Sequence, residues 1–242
     1  MNAEFLLDIH THTLASGHAY GTIREMAQAA QERGLALLGF SEHAPGIPGT
    51  MDPFYYCNLQ AIPRTLYGVE LLHGCEINVL NDGTLSLEQK YIDRLDYGIA
   101  GIHTPCYQDE GREKNTDNLI SCMKHPKIFF VSHPDDGRSA LDYDRLTSAA
   151  RTYHVALEVN NSSLIKKERR LNCVQNYETM LRLCMQRRVP VIVSSDAHDP
   201  SQVGEFALAR EFLERTGFDE DLVLNTSVEK FKRFIRFSQM SR

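Results

Sequence analysis

Phe5-Leu-Leu-Asp-Ile-His-Thr-His-Thr13 is an apolar run that ends in metal-capable side chains. Five more segments are built the same way: Leu35-Ala-Leu-Leu-Gly-Phe-Ser-Glu-His43, Leu71-Leu-His-Gly-Cys-Glu76, Tyr97-Gly-Ile-Ala-Gly-Ile-His103, Ile128-Phe-Phe-Val-Ser-His133 and Val191-Ile-Val-Ser-Ser-Asp-Ala-His198. Each reads as a buried strand with a histidine or an acid at its carboxyl end. In the first, period-two alternation of an extended segment sets Asp8, His10 and His12 on one face. A lone His-x-His is as often an ordinary polar pair at a pocket mouth, so the recurrence along the chain is what favours metal binding.

Helical patterns fill the intervals. Thr22 to Arg33 is rich in helix formers and is stopped by Gly34, directly before the strand pattern at 35–40. Further strands are expected at 70–77, 95–102, 128–132, 155–160 and 190–195, with helices at 86–93, 115–124, 142–153, 174–188 and 201–216. Pro134, Pro190 and Pro200 fall at element ends. Ser227 offers an N-cap to an amphipathic terminal helix whose aromatic stripe reads as core packing. Repeated strand-helix units suit either an open doubly wound sheet or a closed parallel barrel. An open sheet disperses its outer strand ends, whereas a barrel brings all of them to one mouth, where these side chains could meet. The expectation is an α/β barrel of seven parallel strands, in one domain over residues 1–242.

The 242 residues are 42% hydrophobic and 24% charged, ordinary for a globular chain with a sizeable core. No apolar stretch approaches the ~20 residues of a membrane helix, and the N-terminus lacks a basic, then apolar, leader, so a cytoplasmic protein without a membrane partner is expected. Six cysteines without a C-x-x-C pair suggest reduced thiols rather than a thiolate zinc site. A net charge of -6 disfavours broad adhesion to nucleic acid, leaving room only for a local basic patch.

The motifs His10-Thr-His12, Ser16-Gly-His18-Ala-Tyr20, Ser41-Glu-His43, Gly74-Cys-Glu76, Gly101-Ile-His103, Ser132-His-Pro134, Glu158-Val-Asn-Asn-Ser-Ser163 and Ser195-Asp-Ala-His198 together resemble the polymerase and histidinol phosphatase (PHP) metallohydrolases. The likeness covers nearly the whole chain and is to the small stand-alone phosphatases that hold three zinc ions in a distorted TIM-like (β/α)7 barrel. Glu42 stands where that family more often has aspartate. The resemblance implies that His10, His12, Glu76 and Asp196 hold one metal. It implies that Glu76 bridges to a second, also held by His103 and His133, and that His18, His43 and His198 hold the third. Seven imidazoles and two carboxylates suit zinc first, and manganese or iron after it, whereas calcium and magnesium prefer oxygen. Asp8 is expected behind the ligands, accepting an imidazole N–H. A metal-bridging hydroxide is the expected nucleophile, with Glu76 as the bridge and Asp196, His198 or water passing a proton to the leaving group.

Around this centre, Arg138, Asn161 and Ser162 are candidate substrate contacts, and Tyr20 either lines the pocket or packs. Lys166-Lys-Glu-Arg-Arg170 reads chiefly as a solvated face, and His73, His125 and His154 as structural. The expected function is a phosphatase of small phosphorylated metabolites. The alternatives are a PHP-type nuclease or phosphodiesterase, which should show a basic track with stacking aromatics, and a non-catalytic metal-stabilised binding module.

Overall fold

The computed structural model describes residues 1 and 3–240. Its strands are β1 (Leu7–Thr11), β2 (Leu37–His43), β3 (Thr65–Leu66), β4 (Val69–Asn78), β5 (Tyr97–Gly101), β6 (Ile128–Val131), β7 (Ala156–Asn160) and β8 (Val191–Ser194). Seven pair in parallel in the order β1-β2-β4-β5-β6-β7-β8, while the two-residue β3 folds back antiparallel on the start of β4. The helices are α1 (Ile23–Glu32), α2 (Gln89–Ile92), α3 (Arg112–Met123), α4 (Tyr143–Tyr153), α5 (Asn161–Ile165), α6 (Cys173–Arg187), α7 (Ala207–Arg215) and α8 (Val228–Met240). The mixed α/β barrel expected from the sequence is therefore present. The helix expected at 201–216 begins only at Ala207, because Asp199 caps a separate turn at Pro200–Gln202 and Gly204 follows with φ +69°. The turns at Pro53–Ala61, the β3 flap and α5 were not expected.

The seam between β1 and β8 closes in two ways. At the mouth, Thr11 bridges Ala197, and the His12 amide donates to the Ala197 carbonyl at 2.8 Å. Lower down, the buried Asn225 amide does what a strand would do: Nδ2 donates to Leu7 O (2.9 Å) and Val193 O (2.7 Å), and Oδ1 accepts from Val193 N (2.7 Å). Satisfying these backbone groups is what lets seven strands close, since buried unpaired amides are costly.

Alternation sorts the strand side chains into two layers. Leu71, Cys75 and Ile77 of β4 pack toward the helices, while Leu7, Ile9, Leu37, Tyr97, Ile99, Phe130, Ala156 and Ile192 fill the barrel. The Tyr97 ring occupies space that a Cβ at Gly39 or Gly74 would take, and its hydroxyl donates to Ile9 O at 2.7 Å. Those two glycines thus make room for the largest residue of the interior. From α8, Phe231 stacks on Phe130 (centroids 5.8 Å apart) and closes the floor, as the terminal aromatic stripe led us to expect. Ser227 Oγ accepts from Lys230 N at this helix start. Full burial of such a ring contributes roughly 1.5–3 kcal/mol.

His73 shares the outward phase of Leu71 and Cys75, stacks on Phe40 and is 2% exposed. Burial, with the Arg64 charge nearby, pushes its imidazole from 6.5 down to about 4. The native state therefore binds fewer protons than the unfolded chain below the ordinary value, so this contribution to stability is complete above pH 6.5 and is lost as pH falls toward 4. His73→Asn should flatten that acid decline by up to ~3 kcal/mol. Denaturant titrations of metal-stripped wild type and variant across this range measure it, and identical pH slopes would refute it.

Candidate metal centre

Every strand of the barrel except β3 delivers polar residues to the mouth, at or just beyond its carboxyl end. Glu76 is inward because β4 alternates: His43 pairs with Glu76, and Glu76 pairs with the inward Ile99. His10 and His12 need a different device. The β1–β2 register shifts between Asp8 and Thr11, inserting one extra residue into β1. Asp8 aligns with the outward Leu38, while His10 and His12 turn into the mouth. Bulges commonly re-aim side chains beside functional sites.

The donor atoms converge on Glu76. Its Oε2 lies 3.3 Å from His10 Nε2, 3.7 Å from His12 Nε2 and 2.9 Å from His43 Nδ1. Its Oε1 lies 3.1 Å from His103 Nε2 and 2.8 Å from His133 Nε2. Asp196 Oδ1 completes the first set at 3.3 Å from His12 Nε2 and 3.7 Å from His10 Nε2. A tetrahedron around an ion with zinc-like bonds of ~2.0–2.1 Å has edges of ~3.3–3.4 Å, so this spacing fits an ion. Independently, His10 Nε2, His12 Nε2, His43 Nδ1 and Glu76 Oε2 are buried and make no hydrogen bond among the described residues. Buried polar atoms left so are expensive unless something else binds them. His18 Nε2 faces His198 Nε2 at 3.2 Å. His43 stacks on both His12 (4.3 Å) and His18 (4.9 Å), and stands between the Glu76 groups and the His18–His198 pair rather than wholly with the latter.

The far side of four of the rings is occupied, which favours one tautomer in each. His10 Nδ1–H donates to Glu158 Oε1 at 2.7 Å, His103 Nδ1–H to Asn78 Oδ1 at 2.8 Å, and His198 Nδ1–H to the Asp196 carbonyl at 3.0 Å. His12 Nδ1–H donates to Ser16 Oγ (3.1 Å), which donates onward to Glu42 Oε2 (2.6 Å). Thr13 also donates to Glu42, so the glutamate at this position is fully engaged. Each such partner leaves an Nε2 lone pair pointing at the centre.

Burial alone would push the Glu76 and Asp196 carboxyls up; the surrounding imidazoles outweigh it and hold both well below the usual range. Burial lowers His12, His18, His103 and His198, whereas nearby carboxylates overcome burial and raise His10 and His133. Ionised carboxylates and imidazoles whose protons are disfavoured suit a metal ion, which at His10 and His133 would have to displace a proton. His133 (φ +27°) and Asp196 (φ +56°) are held in the left-handed region, a strain that surrounding contacts must maintain. One such contact is His133 N donating to Glu158 Oε2 at 2.6 Å.

A Cβ at Gly101 would lie 2.4 Å from Ser132 Oγ, 2.8 Å from His103 Cε1 and 3.0 Å from Glu76 Oε1. Gly101→Ala should therefore displace His103 and Glu76 and weaken binding of one divalent ion at least ~10-fold, while the fold persists. Metal titration beside circular dichroism measures this, and unchanged affinity would refute it.

A pocket of about 320 Å3 opens beside the cluster, lined by His18, His43, Glu76, His103, His133, Asp196 and His198 together with Ile47, Ile102, Pro105, Leu141, Arg138 and Arg170. Arg138, a candidate substrate contact, is among the lining residues. Asn161 and Ser162 are not: the Asn161 carboxamide accepts from Ala209 N at 3.0 Å, and both residues are buried in α5. Asp8 accepts from Ser195 Oγ and Gly204 N and from no imidazole, because the bulge turns it outward; it steadies the segment carrying Asp196 and His198. Tyr20 is 74% exposed, outside the lining.

Three residues escaped the sequence reading. Asn78 orients His103 although no motif contained it. Glu158 was part of a motif without a role, although an acid within the buried run Val155-Ala-Leu-Glu-Val159 demands partners, which was the available signal. Arg170 separates from its basic run: Lys166, Lys167 and Arg169 are exposed, while the Arg170 side chain is 18% exposed and pairs with the buried Asp135 at 2.8 Å.

The family model of the PHP domain matches residues 8–162. A probable phosphatase of Clostridium novyi (strain NT) is 35% identical over 234 residues, covering 96% of this chain and 95% of that one. A probable phosphatase of Caldanaerobacter subterraneus subsp. tengcongensis is 37% identical over 238 residues, covering 98% and 93% respectively. The histidinol phosphate phosphatase of Lactococcus lactis subsp. lactis, solved with zinc, L-histidinol and phosphate, superposes with a TM-score of 0.58 at 17% identity, covering 89% of this chain and 95% of that one. A chain of archaeal ribonuclease P, solved with mature tRNA, superposes with a TM-score of 0.64 at 17% identity, covering 97% and 91%. The two superpositions show a shared fold. Because the family model spans well over half of the chain and the relatives cover nearly all of it, the chain belongs to the PHP-domain family.

Proposed function

We propose that residues 1–242 act as one domain, a metal-dependent phosphatase that hydrolyses monoesters of a small phosphorylated metabolite at a trinuclear site. Its ions, zinc before manganese or iron, would be held by His10, His12, Glu76 and Asp196, by Glu76, His103 and His133, and by His18, His43 and His198. The observation that carries this reading is the set of buried, unbonded His10, His12, His43 and Glu76 atoms converging beside an open pocket. The phosphatase names of the relatives and the zinc of the Lactococcus enzyme support it.

When bound, the ions supply an activated water at neutral pH and positive charge for the phosphoryl oxygens. The chain supplies aim. Glu158, Asn78 and Ser16 orient His10, His103 and His12. Asp196 Oδ2 accepts from Asn160 Nδ2 at 3.3 Å, and because Asp196 is held ionised, His198 or water would hand the proton to the leaving oxygen.

Metal-replete protein should contain more than two transition-metal equivalents per chain and cleave phosphomonoesters in preference to diesters and oligonucleotides. At most one equivalent would reject the trinuclear assignment. Salt-sensitive oligonucleotide cleavage, abolished when Lys166, Lys167 and Arg169 are neutralised and accompanied by negligible monoesterase activity, would replace the phosphatase by a nuclease.

A further inference from the structure

The pocket lining also carries two guanidiniums, Arg138 and Arg170, that the metal centre does not use. Arg138 lies at the solvent edge of the pocket, its side chain 59% exposed, and grips Asp136 through Nε (3.0 Å) and Nη2. Arg170 is anchored deeper, through Nε to Asp135 (2.8 Å) and Nη2 to the His133 carbonyl (3.3 Å). Neither Nη1 donates to any protein acceptor among the described residues, so each guanidinium keeps an amino group for a ligand. Ile47, Ile102, Pro105 and Leu141 supply apolar surface on the same pocket.

The carboxylates of the lining are Glu76, Asp136 and Asp196. Glu76 and Asp196 face imidazoles, and Asp136 is taken by Arg138. No carboxylate is left to pair with an ammonium group, and one placed here would meet two guanidiniums instead. An anion would gain charge-assisted hydrogen bonds from donors already held in position. Resting on the phosphomonoesterase reading, we infer that the alcohol part of the substrate carries a second anionic group, a carboxylate or another phosphate, received by Arg138 and Arg170 across a short apolar span. Esters of amino alcohols are disfavoured by the same wall.

Four probes of one length test this: propyl phosphate, 3-aminopropyl phosphate, 3-phosphonooxypropanoate and propane-1,3-diol bisphosphate. The metal-loaded protein should show kcat/KM higher by about 10-fold or more for at least one of the two probes with an anionic far end than for propyl phosphate, with the aminopropyl ester poorest. Which of the two anionic probes leads distinguishes carboxylate from phosphate. Arg138→Gln, at an exposed position the fold does not need, should raise KM for the preferred probe and lose at least about 10-fold more kcat/KM on it than on propyl phosphate. Calorimetry with the matching non-hydrolysable phosphonates should show the same selective loss of affinity. Equal losses on all probes would mean that the arginine serves the scissile phosphate, and would overturn the inference, as would a preference for the aminopropyl ester. Hydrolysis of an aryl phosphate with none of the four probes cleaved would overturn it alone, whereas failure on every monoester would overturn the phosphatase reading as well.

Discussion

Glu76→Gln is expected to remove more than one metal equivalent per chain and to lower kcat/KM by well over ~100-fold, beyond the 10–100-fold typical of residues that merely support ligands. The side chain keeps its shape but loses half of its donor capacity. Both carboxylate oxygens are engaged, Oε2 among His10, His12 and His43 and Oε1 between His103 and His133. An amide can present an oxygen to only one of those groups, and its NH2 turns donors toward the other. Two ion positions therefore weaken together. His73→Asn is the comparison, because the next-but-two residue of the same strand points to the helix layer and should leave metal content intact. Metal analysis and steady-state kinetics of both variants decide the matter. Small and equal effects would show that Glu76 does not bridge.

The second large effect is expected at Glu158, a residue that touches no proposed substrate atom. Its two oxygens accept from different places: Oε1 from His10 Nδ1–H, Oε2 from the His133 backbone N–H and from Asn160 Nδ2. Glu158→Gln can satisfy one side only, and its NH2 would meet a donor on the other. We expect metal affinity to fall about 10- to 100-fold, the range usual for a carboxylate behind a metal-bound histidine. A purely structural role would lower stability without moving metal affinity. Competition titrations with a chromogenic chelator, run beside thermal unfolding, separate the two; unchanged affinity in a folded variant would sink the positioning role.

Much of this centre could be read along the chain because buried strands are written as short apolar runs. Where such a run turns polar, it has reached the mouth, so His43, Glu76, His103, His133, Asp196 and His198 announce themselves at strand ends. Alternation then works wherever a strand is unbroken, as in β4, where Glu76 is inward and His73 outward. It fails at β1, where one inserted residue changes the phase and sends Asp8 to Ser195 instead of an imidazole.

The sequence by itself thus determined the barrel class and the identities of the clustered donors other than His18, which only the family resemblance supplied, because both follow from local periodicity and from which residue types end each run. Only the tertiary structure decided that Glu158 serves His10 across 148 positions, that Arg170 leaves its basic run for the pocket wall, that His43 leans toward Glu76, and that Asn225 seals the seam. Those pairings are long-range consequences of closing the barrel, and a period-two pattern records which face a side chain takes but not which partner it meets there.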